Sequence, residues 1–360
     1  MNEKPLTTTH GFDQLIDRFL ASSDISRTSN AGNLMEFDLK NEKLAEAMKE
    51  QLIAFEYTEE EAAAHSKDLT AYNPTAPFLF NGCQYILVRV EPRNAPYSMV
   101  ALFREHNGGK SLKWELTEEM PIYKHCEDPF YIGEIDGVYY FGMAEIKKEN
   151  PDGSIPVHSV IYRFRDNSKD FIKDFRAAEK FLNGPNDLKG IRFCKLVEGK
   201  YALLRRPRGG GLGNGRIALT LFTSMNNLTE GIKRPVCFDE IIDYLFSDHE
   251  WGGTNQLIVL KNGLLGILGH IARVDKDGKK DYAAAAIIID PGTKKALHIE
   301  VIATTYSFSG ITPKNIEMDE ILYSGGIIRR ENGMATLYAG LGDTVAGFIE
   351  IPDPFLEWEN

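Results

Sequence analysis

The chain has little cysteine: Cys83, Cys126, Cys194 and Cys237 are the only four in 360 residues, widely spaced and without a Cys-x-x-Cys pair. That excludes a disulfide framework and gives no zinc-ligand spacing, so the thiols read as reduced and mainly structural, with Cys126 set apart only by adjoining Glu127-Asp128. Long apolar runs are missing as well. Nowhere do about 18 apolar residues follow one another, the length a membrane helix needs, and the N-terminus lacks the basic-then-apolar pattern of a signal peptide. Nor is there an excess of basic residues: 41 Lys and Arg stand against 52 Asp and Glu, a formal charge of -11. A general nucleic-acid binder shows a basic face, so nucleic acid is not an expected partner, although local basic clusters suit a small anion. With 43% apolar and 26% charged residues, disorder is not indicated either. These absences leave a cytoplasmic enzyme or binding protein without a membrane partner.

Against that background one pattern recurs. Asn81-Gly82, Asp136-Gly137, Glu198-Gly199, Asn262-Gly263 and Asn332-Gly333 each sit between runs rich in Val, Ile, Leu, Tyr and Phe. A type I′ turn needs positive φ at both central residues, so Asn-Gly or Asp-Gly between strand-like runs predicts a tight β-hairpin; Glu198 fits that turn less well. The glycines stand 55, 62, 64 and 70 residues apart. One hairpin per repeat of that length leaves room for a four-stranded sheet and predicts an all-β, five-bladed β-propeller over 66–360; a β-sandwich with long insertions is the competing architecture. Residues 1–65 differ. Helical spacing from Phe12 to Leu20, and richness in Ala, Glu, Lys and Leu from Asn41 to Glu61, predict a helical or mixed extension packed on the β body or serving a homo-oligomer. Further helical stretches are expected at Asp170 to Leu182 and Phe238 to Phe246.

Nine residues before the five glycines stand Asn73, Asp128, Gly190, Thr254 and Ser324; seven after them stand Arg89, Ala144, Arg206, His270 and Gly340. Both positions fall at the hairpin end away from the turn, on neighbouring strands, where cross-strand side chains meet. Five such ends converging on one axis would bring Asn73, Arg89, Asp128, Arg206, Thr254, His270 and Ser324 into one pocket, the setting of a small-molecule site. A solvated propeller mouth would tolerate the same polar residues. Asp128 precedes Pro129 and the apolar Phe130-Tyr131-Ile132, so its carboxyl is held where a strand begins. There it can acquire a raised pKa and act as a general acid, or merely accept hydrogen bonds from strand ends. Arg89 and Arg206 offer forked donors for an anion, for sugar hydroxyls, or for an ion pair across the pocket. His270 ends an otherwise apolar run from Leu264, which suits a core histidine as well as a catalyst.

At these residues a family resemblance emerges. Tyr72-Asn73-Pro74, Tyr85-Ile86-Leu87-Val88-Arg89, Glu127-Asp128-Pro129 with Asp136-Gly137-Val138-Tyr139-Tyr140, and Leu203-Leu204-Arg205-Arg206-Pro207 resemble successive blade signatures of the mannoside phosphorylases of glycoside hydrolase family 130. So do Leu268-Gly269-His270, Tyr282 leading into Ile288-Ile289-Asp290, and Tyr338-Ala339-Gly340-Leu341-Gly342-Asp343-Thr344. No one motif is specific, but seven in colinear order from Thr70 to Pro354 are. Within that clan the chain most resembles the β-1,2-mannosyltransferase and phosphorylase family, glycosyltransferase family 108, long catalogued as a domain of unknown function. The resemblance implies a five-bladed propeller acting on β-mannosides with inversion, with inorganic phosphate as co-substrate and no metal or other cofactor. It implies that Asp128 is the general acid, that Asn73, Arg89 and Asp343 hold the terminal mannosyl unit, and that Arg206, His270 and Tyr282 lie on the phosphate side.

Three departures matter. Phe130 follows the Glu-Asp-Pro where family 130 has Arg; the family's phosphate-binding Arg-Asn pair falls near Leu188-Lys189; and a Lys ahead of its fourth blade falls near Glu250-Trp251. Lys189, Arg205, Arg208 and Lys195 are the candidates to restore the lost charge, and Glu250 is a candidate base for an attacking water. The expected function is an inverting β-1,2-mannoside phosphorylase, reversible as a mannosyltransferase and giving α-mannose 1-phosphate. An inverting β-mannosidase and a non-catalytic carbohydrate-binding propeller are the alternatives. Gly209 to Gly215 lacks the Lys-Ser/Thr ending of a phosphate-binding P-loop and reads as a flexible loop, or as a lid beside Arg206 and Arg208. Asn227-Leu228-Thr229 formally matches a glycosylation site that a cytoplasmic chain would not use, and Asp275 to Lys280 is a charged turn.

Overall fold

All five turns form in the computed structural model, which describes residues 5–22, 31–106, 113–147, 156–185, 188–209 and 212–359 of a mainly β chain. The turn glycines 82, 137, 199, 263 and 333 have φ between 74 and 88. Only Asn81 and Asp136 join them at positive φ, as type I′ requires. The other three turns are one residue longer. Leu196, Leu260 and Arg330 each accept from the turn glycine and donate to the residue after it, so the glycine alone takes the left-handed conformation.

The hairpins share one register. Tyr72 pairs with Arg89, Glu127 with Ala144, Lys189 with Arg206, Gly253 with His270 and Tyr323 with Gly340, each pair standing ten residues before and seven after its turn glycine. Close after that pair the first strand of each hairpin slips or breaks, at once in the first three and one residue later in the fourth and fifth. Asp128-Pro129 is set against Met143 alone, Gly190-Ile191 against Arg205, and Asn255 and Gly325 are inserted without a partner. In the first hairpin the strand breaks after Tyr72 and resumes at Phe78. These are β-bulges, which twist a strand end and re-aim its side chains. Asn73, Asp128 and Gly190 take φ of 48, 49 and 72 there, a conformation Asn, Asp and Gly tolerate best. The position nine residues before the glycine therefore lies in the break or bulge of the first three hairpins and immediately before the inserted residue in the fourth and fifth.

Hydrogen bonding organises the strands into four sheets. Three contain the second hairpin (Cys126–Ile135 and Val138–Ile146), the third (Lys189–Lys195 and Tyr201–Arg206) and the fourth (Glu250–Val259 and Leu265–Val274). The remaining one unites the first hairpin, built on Cys83–Pro92, with the fifth, Leu322–Arg329 and Met334–Leu341, through a parallel pairing of Val345 with Ala71. The first strands of hairpins two to five touch one another, so the bulged ends meet at a common centre.

Apolar side chains fill the spaces between neighbouring sheets. Phe78 stacks on Tyr131 and Phe141 on Phe175, both at 4.3 Å between ring centroids, in the core shared by the first two hairpins. The segment ahead of Leu69 is tied into the sheets: Asn33–Leu34 pairs with Phe348 and Gly347, and Glu36–Phe37 with Lys113 and Trp114. Its helices among the described residues are Phe12–Leu20, Glu42–Ala54 and Glu59–His65, the last two separated where Thr58 caps a new helix. Two helical expectations are corrected. Asp170 to Leu182 is helical only over Phe171–Arg176, because Glu179–Asn183 completes the second sheet beside Val160 to Arg163. Phe238 to Phe246 keeps one 3₁₀ turn, Phe238–Glu240, and Met225–Lys233 is a helix not anticipated. Among the described residues no helix is long and apolar enough to cross a membrane.

Candidate active site

The bulge in the second hairpin lifts Asp128 out of its ladder, and Pro129, which has no N–H to donate, loses no ladder bond there. Asp128 Oδ1 accepts from Asn73 Nδ2 at 2.9 Å and from Arg89 Nη1 at 3.3 Å, and Lys189 Nζ lies 4.0 Å from Oδ2. Burial pushes the Asp128 pKa up, but Arg89, Lys189 and the Asn73 hydrogen bond outweigh it and hold the carboxyl below its ordinary value. Of the two readings the sequence left open for Asp128, a raised pKa and a hydrogen-bond acceptor, these contacts favour the second.

Arg89 Nη2 also bonds Glu91 Oε2 at 2.7 Å, lies 3.2 Å from Glu127 Oε2, and its guanidinium covers the Tyr72 ring at 4.9 Å. The Tyr72 hydroxyl donates to Glu91 Oε2 at 2.7 Å, Lys314 pairs with the other Glu91 oxygen, and Lys189 pairs with Glu127. Cation and carboxylate alternate from Lys314 through Glu91, Arg89 and Glu127 to Lys189. Buried charges arranged this way compensate one another, and removing one would strand its neighbours. Asp343, at φ 53, behaves differently. Burial raises its pKa, and although Arg89 and Lys314 oppose this, Asp128 and Glu91 add to it. Carboxyls of one site whose proton affinities move apart are suited to divided acid and base roles.

On the other side of Asp128, Lys189, Arg192, Arg206 and His270 line a narrow cavity of about 50 Å3 with it. Arg206 Nη2 donates to Asn214 O at 3.1 Å while its Nε has no partner among the described residues. A Cβ on Gly215 would lie 2.5 Å from that Nε, and one on Gly253 would lie 2.8 Å from His270 Cε1, so glycine lets the backbone close around both side chains. His270 Nδ1 is 2.9 Å from Asn255 Oδ1, and the ring stacks on Tyr282 at 5.6 Å. Burial, then the neighbouring Arg206, pushes its pKa down to about 3, so the ring is neutral. Its Nε2 has no partner among the described residues. Arg192 donates to Asn255 O at 2.7 Å and lies 3.4 Å over the Phe130 ring, with burial lowering its pKa to about 10. Phe130, standing where the family motif has Arg, thus carries a cation by stacking.

Asn73, Arg89, Asp128, Arg206 and His270, found by hairpin counting, are brought together, and Lys189, a candidate to restore lost charge, stands with them, with Asp343 nearby. Tyr282 is oriented by Trp251, whose Nε1 donates to its hydroxyl at 3.2 Å. Thr254 lines the cavity, whereas Ser324 spends its hydroxyl on Gly269 O at 2.6 Å. Glu250 has another use. Its Oε1 accepts from Phe12 N at 2.5 Å and Oε2 from Ser247 N at 3.0 Å, so it caps the helix Phe12–Leu20. Arg205 is buried against Glu240 at 2.9 Å, and Lys195 pairs with Asp136 at the turn end of its hairpin, so neither restores charge at the cavity. Within the glycine-rich run, Gly210 and Gly211 lie outside the described residues. Sequence reasoning missed Glu91, Glu127, Lys314, Arg192 and Asn255. Glu91 follows Arg89 by two along a strand, hence on the same face, and that spacing was a usable signal.

A mainly β protein whose bulged strand ends gather paired charges and open donors around a small cavity is the class that fold and site define. The chain belongs to DUF1861, a family of proteins of unknown function, whose model matches residues 47–357. No curated protein matches it. Among solved structures it is similar to MPT-4, a mannose phosphorylase from Leishmania mexicana in complex with phosphate ion, with TM-score 0.74 and 24% identity over 97% of this chain and 95% of that one. It is also similar to MPT-1, a GDP-Man-dependent mannosyltransferase from the same organism, with TM-score 0.71 and 22% identity over 96% and 94%. A β-1,2-mannobiose phosphorylase from Listeria innocua, in complex with β-1,2-mannobiose, has TM-score 0.53 and 14% identity over 79% and 89%. The likeness is one of fold, and it agrees with the resemblance drawn from the hairpin motifs.

Proposed function

We propose that residues 66–360 form a five-bladed β-propeller, carrying 1–65 as an extension, and that the protein is an inverting β-1,2-mannoside phosphorylase, reversible as a mannosyltransferase. The observation that carries this reading is the place of Asp128, between a row of paired charges and a cavity lined by cations with an open donor. The common hairpin register supports five blades, the first and last being joined through Val345 and Ala71. The phosphate-bound mannose phosphorylase of similar fold supports phosphate as co-substrate.

In this reading Asn73, Arg89 and Asp343 hold the terminal mannosyl unit, and Lys189, Arg206, His270 and Tyr282 hold phosphate. A phosphate oxygen attacks the anomeric carbon from the face opposite the leaving group. The glycosidic bond breaks, and its oxygen takes a proton from Asp128 directly or through a sugar hydroxyl, leaving α-mannose 1-phosphate and a shortened mannoside. Positioning and charge stabilisation carry the rate. Asp128 is ionised in the unliganded protein and acquires its proton in the complex, because a phosphate beside Lys189 and Arg206 offsets their field and adds negative charge. The hydrolytic alternative loses its candidate base, since both Glu250 oxygens hold backbone N–H groups. Incubation with β-1,2-mannobiose, with and without phosphate, tests the reading. Mannose 1-phosphate formed only with phosphate supports it; free mannose regardless of phosphate, or no turnover of β-mannosides, refutes it.

A further inference from the structure

Two buried atoms without partners among the described residues, Arg206 Nε and His270 Nε2, belong to side chains lining the same cavity, and they are of opposite kind. Arg206 Nε carries a hydrogen and can only donate. His270 is 6% exposed, and its Nδ1 stands 2.9 Å from the amide oxygen of Asn255, which can only accept. The ring proton therefore sits on Nδ1, and Nε2 of the neutral ring presents a lone pair. Arg206 and Arg192 nearby oppose a second proton on that ring.

A cavity that sets cationic donors around one buried lone pair is matched by an oxyanion bearing its own hydrogen. We propose that His270 Nε2 accepts a hydrogen bond from the P–OH of hydrogen phosphate, so that the site selects phosphate over sulfate, an oxyanion of the same shape without a hydrogen. Sulfate sets an oxygen lone pair against the Nε2 lone pair and leaves a buried acceptor unpaired, the arrangement by which polar sites reject near-isosteres most strongly. This inference rests on the phosphorylase reading of the same cavity and adds the form of phosphate it takes.

Calorimetric titration of the full chain with phosphate and with sulfate at pH 7 tests it. Sulfate is expected to bind at least about tenfold more weakly, the loss that accompanies one unpaired buried acceptor. His270→Gln can present an amide N–H to either anion and is expected to bring the two affinities within about threefold of each other. Asn255→Asp acts through the ring: a carboxylate at Nδ1 favours the doubly protonated imidazole and turns Nε2 into a donor, so the same convergence is expected if the first variant does not fold. Equal affinities in the unaltered protein, or a preference that survives in the folded variants, overturn the inference and leave the phosphate reading standing. If neither anion binds, both are overturned.

Discussion

The two sides of Asp128 differ in how completely their polar groups are satisfied. Toward the first hairpin, Arg89, Glu91, Glu127 and Lys314 are tied to one another, and among the described residues Asn73 Oδ1 is the buried atom of this group left without a partner. Toward the third and fourth hairpins, Arg206 has one bond to a loop carbonyl and an open Nε, and His270 keeps an open Nε2. A saturated network is rigid before any ligand arrives and can fix the orientation of the carboxyl it holds. An unsaturated one keeps buried donors and acceptors whose desolvation only a ligand repays. The same bulge geometry therefore serves positioning on one side and capture on the other.

The largest break in that contrast is at the boundary residue itself. Asp128→Asn keeps the shape of the side chain and removes its proton, so kcat for phosphorolysis of β-1,2-mannobiose is expected to fall about 10³-fold, as for loss of a general acid. Steady-state kinetics on the folded variant checks this, and near-full activity would remove Asp128 from the acid role. Next comes the saturated side. Glu91→Gln takes the carboxylate from Lys314 and one of three from Arg89, and denaturant unfolding should show a loss of about 3 kcal/mol.

A smaller effect belongs to the open side. His270 is about 6.5 unfolded and about 3 folded, so the unfolded chain binds the extra proton between those values. Stability from this group is full above pH 6.5 and is lost as pH falls toward 3, with a slope of at most about 1.4 kcal/mol per pH unit. His270→Gln should remove that part of the slope, measured as the difference in unfolding free energy between the two proteins from pH 6.5 down to 4.5. The smallest effect lies outside the site. Glu250→Gln weakens the cap on Phe12 and is expected to cost about 1 kcal/mol of stability while leaving kcat within about twofold. A large loss of kcat without loss of stability would return Glu250 to the reaction.

Much of this arrangement was legible in the chain because turn chemistry is local. Once Gly82, Gly137, Gly199, Gly263 and Gly333 fix their turns, register follows by counting, and Arg89, Arg206 and His270 fall at equivalent places. Asn73 and Asp128 were found the same way, although what their offset marks is a bulge. Glu91 was within reach of strand periodicity. Lys314 was not, since 223 residues separate it from Glu91. Glu250 stood as a candidate base because nothing nearby in sequence announces that the N–H of Phe12 will meet its carboxylate.

What the sequence determined by itself is which residues can reach the bulged hairpin ends, since turn type, alternation and the tolerance of Asn, Asp and Gly for positive φ act over a few residues. Tertiary structure alone decided their electrical state. Burial argues for a protonated Asp128, and the approach of Arg89 from one hairpin and Lys189 from another, with the hydrogen bond from Asn73, reverses it. His270 is neutral, with an open lone pair, for the same kind of reason: Asn255 accepts a hydrogen bond from Nδ1–H on one side and two arginines oppose a second proton. Charge and desolvation depend on every group brought within a few ångströms, and that neighbourhood exists only once the sheets have met.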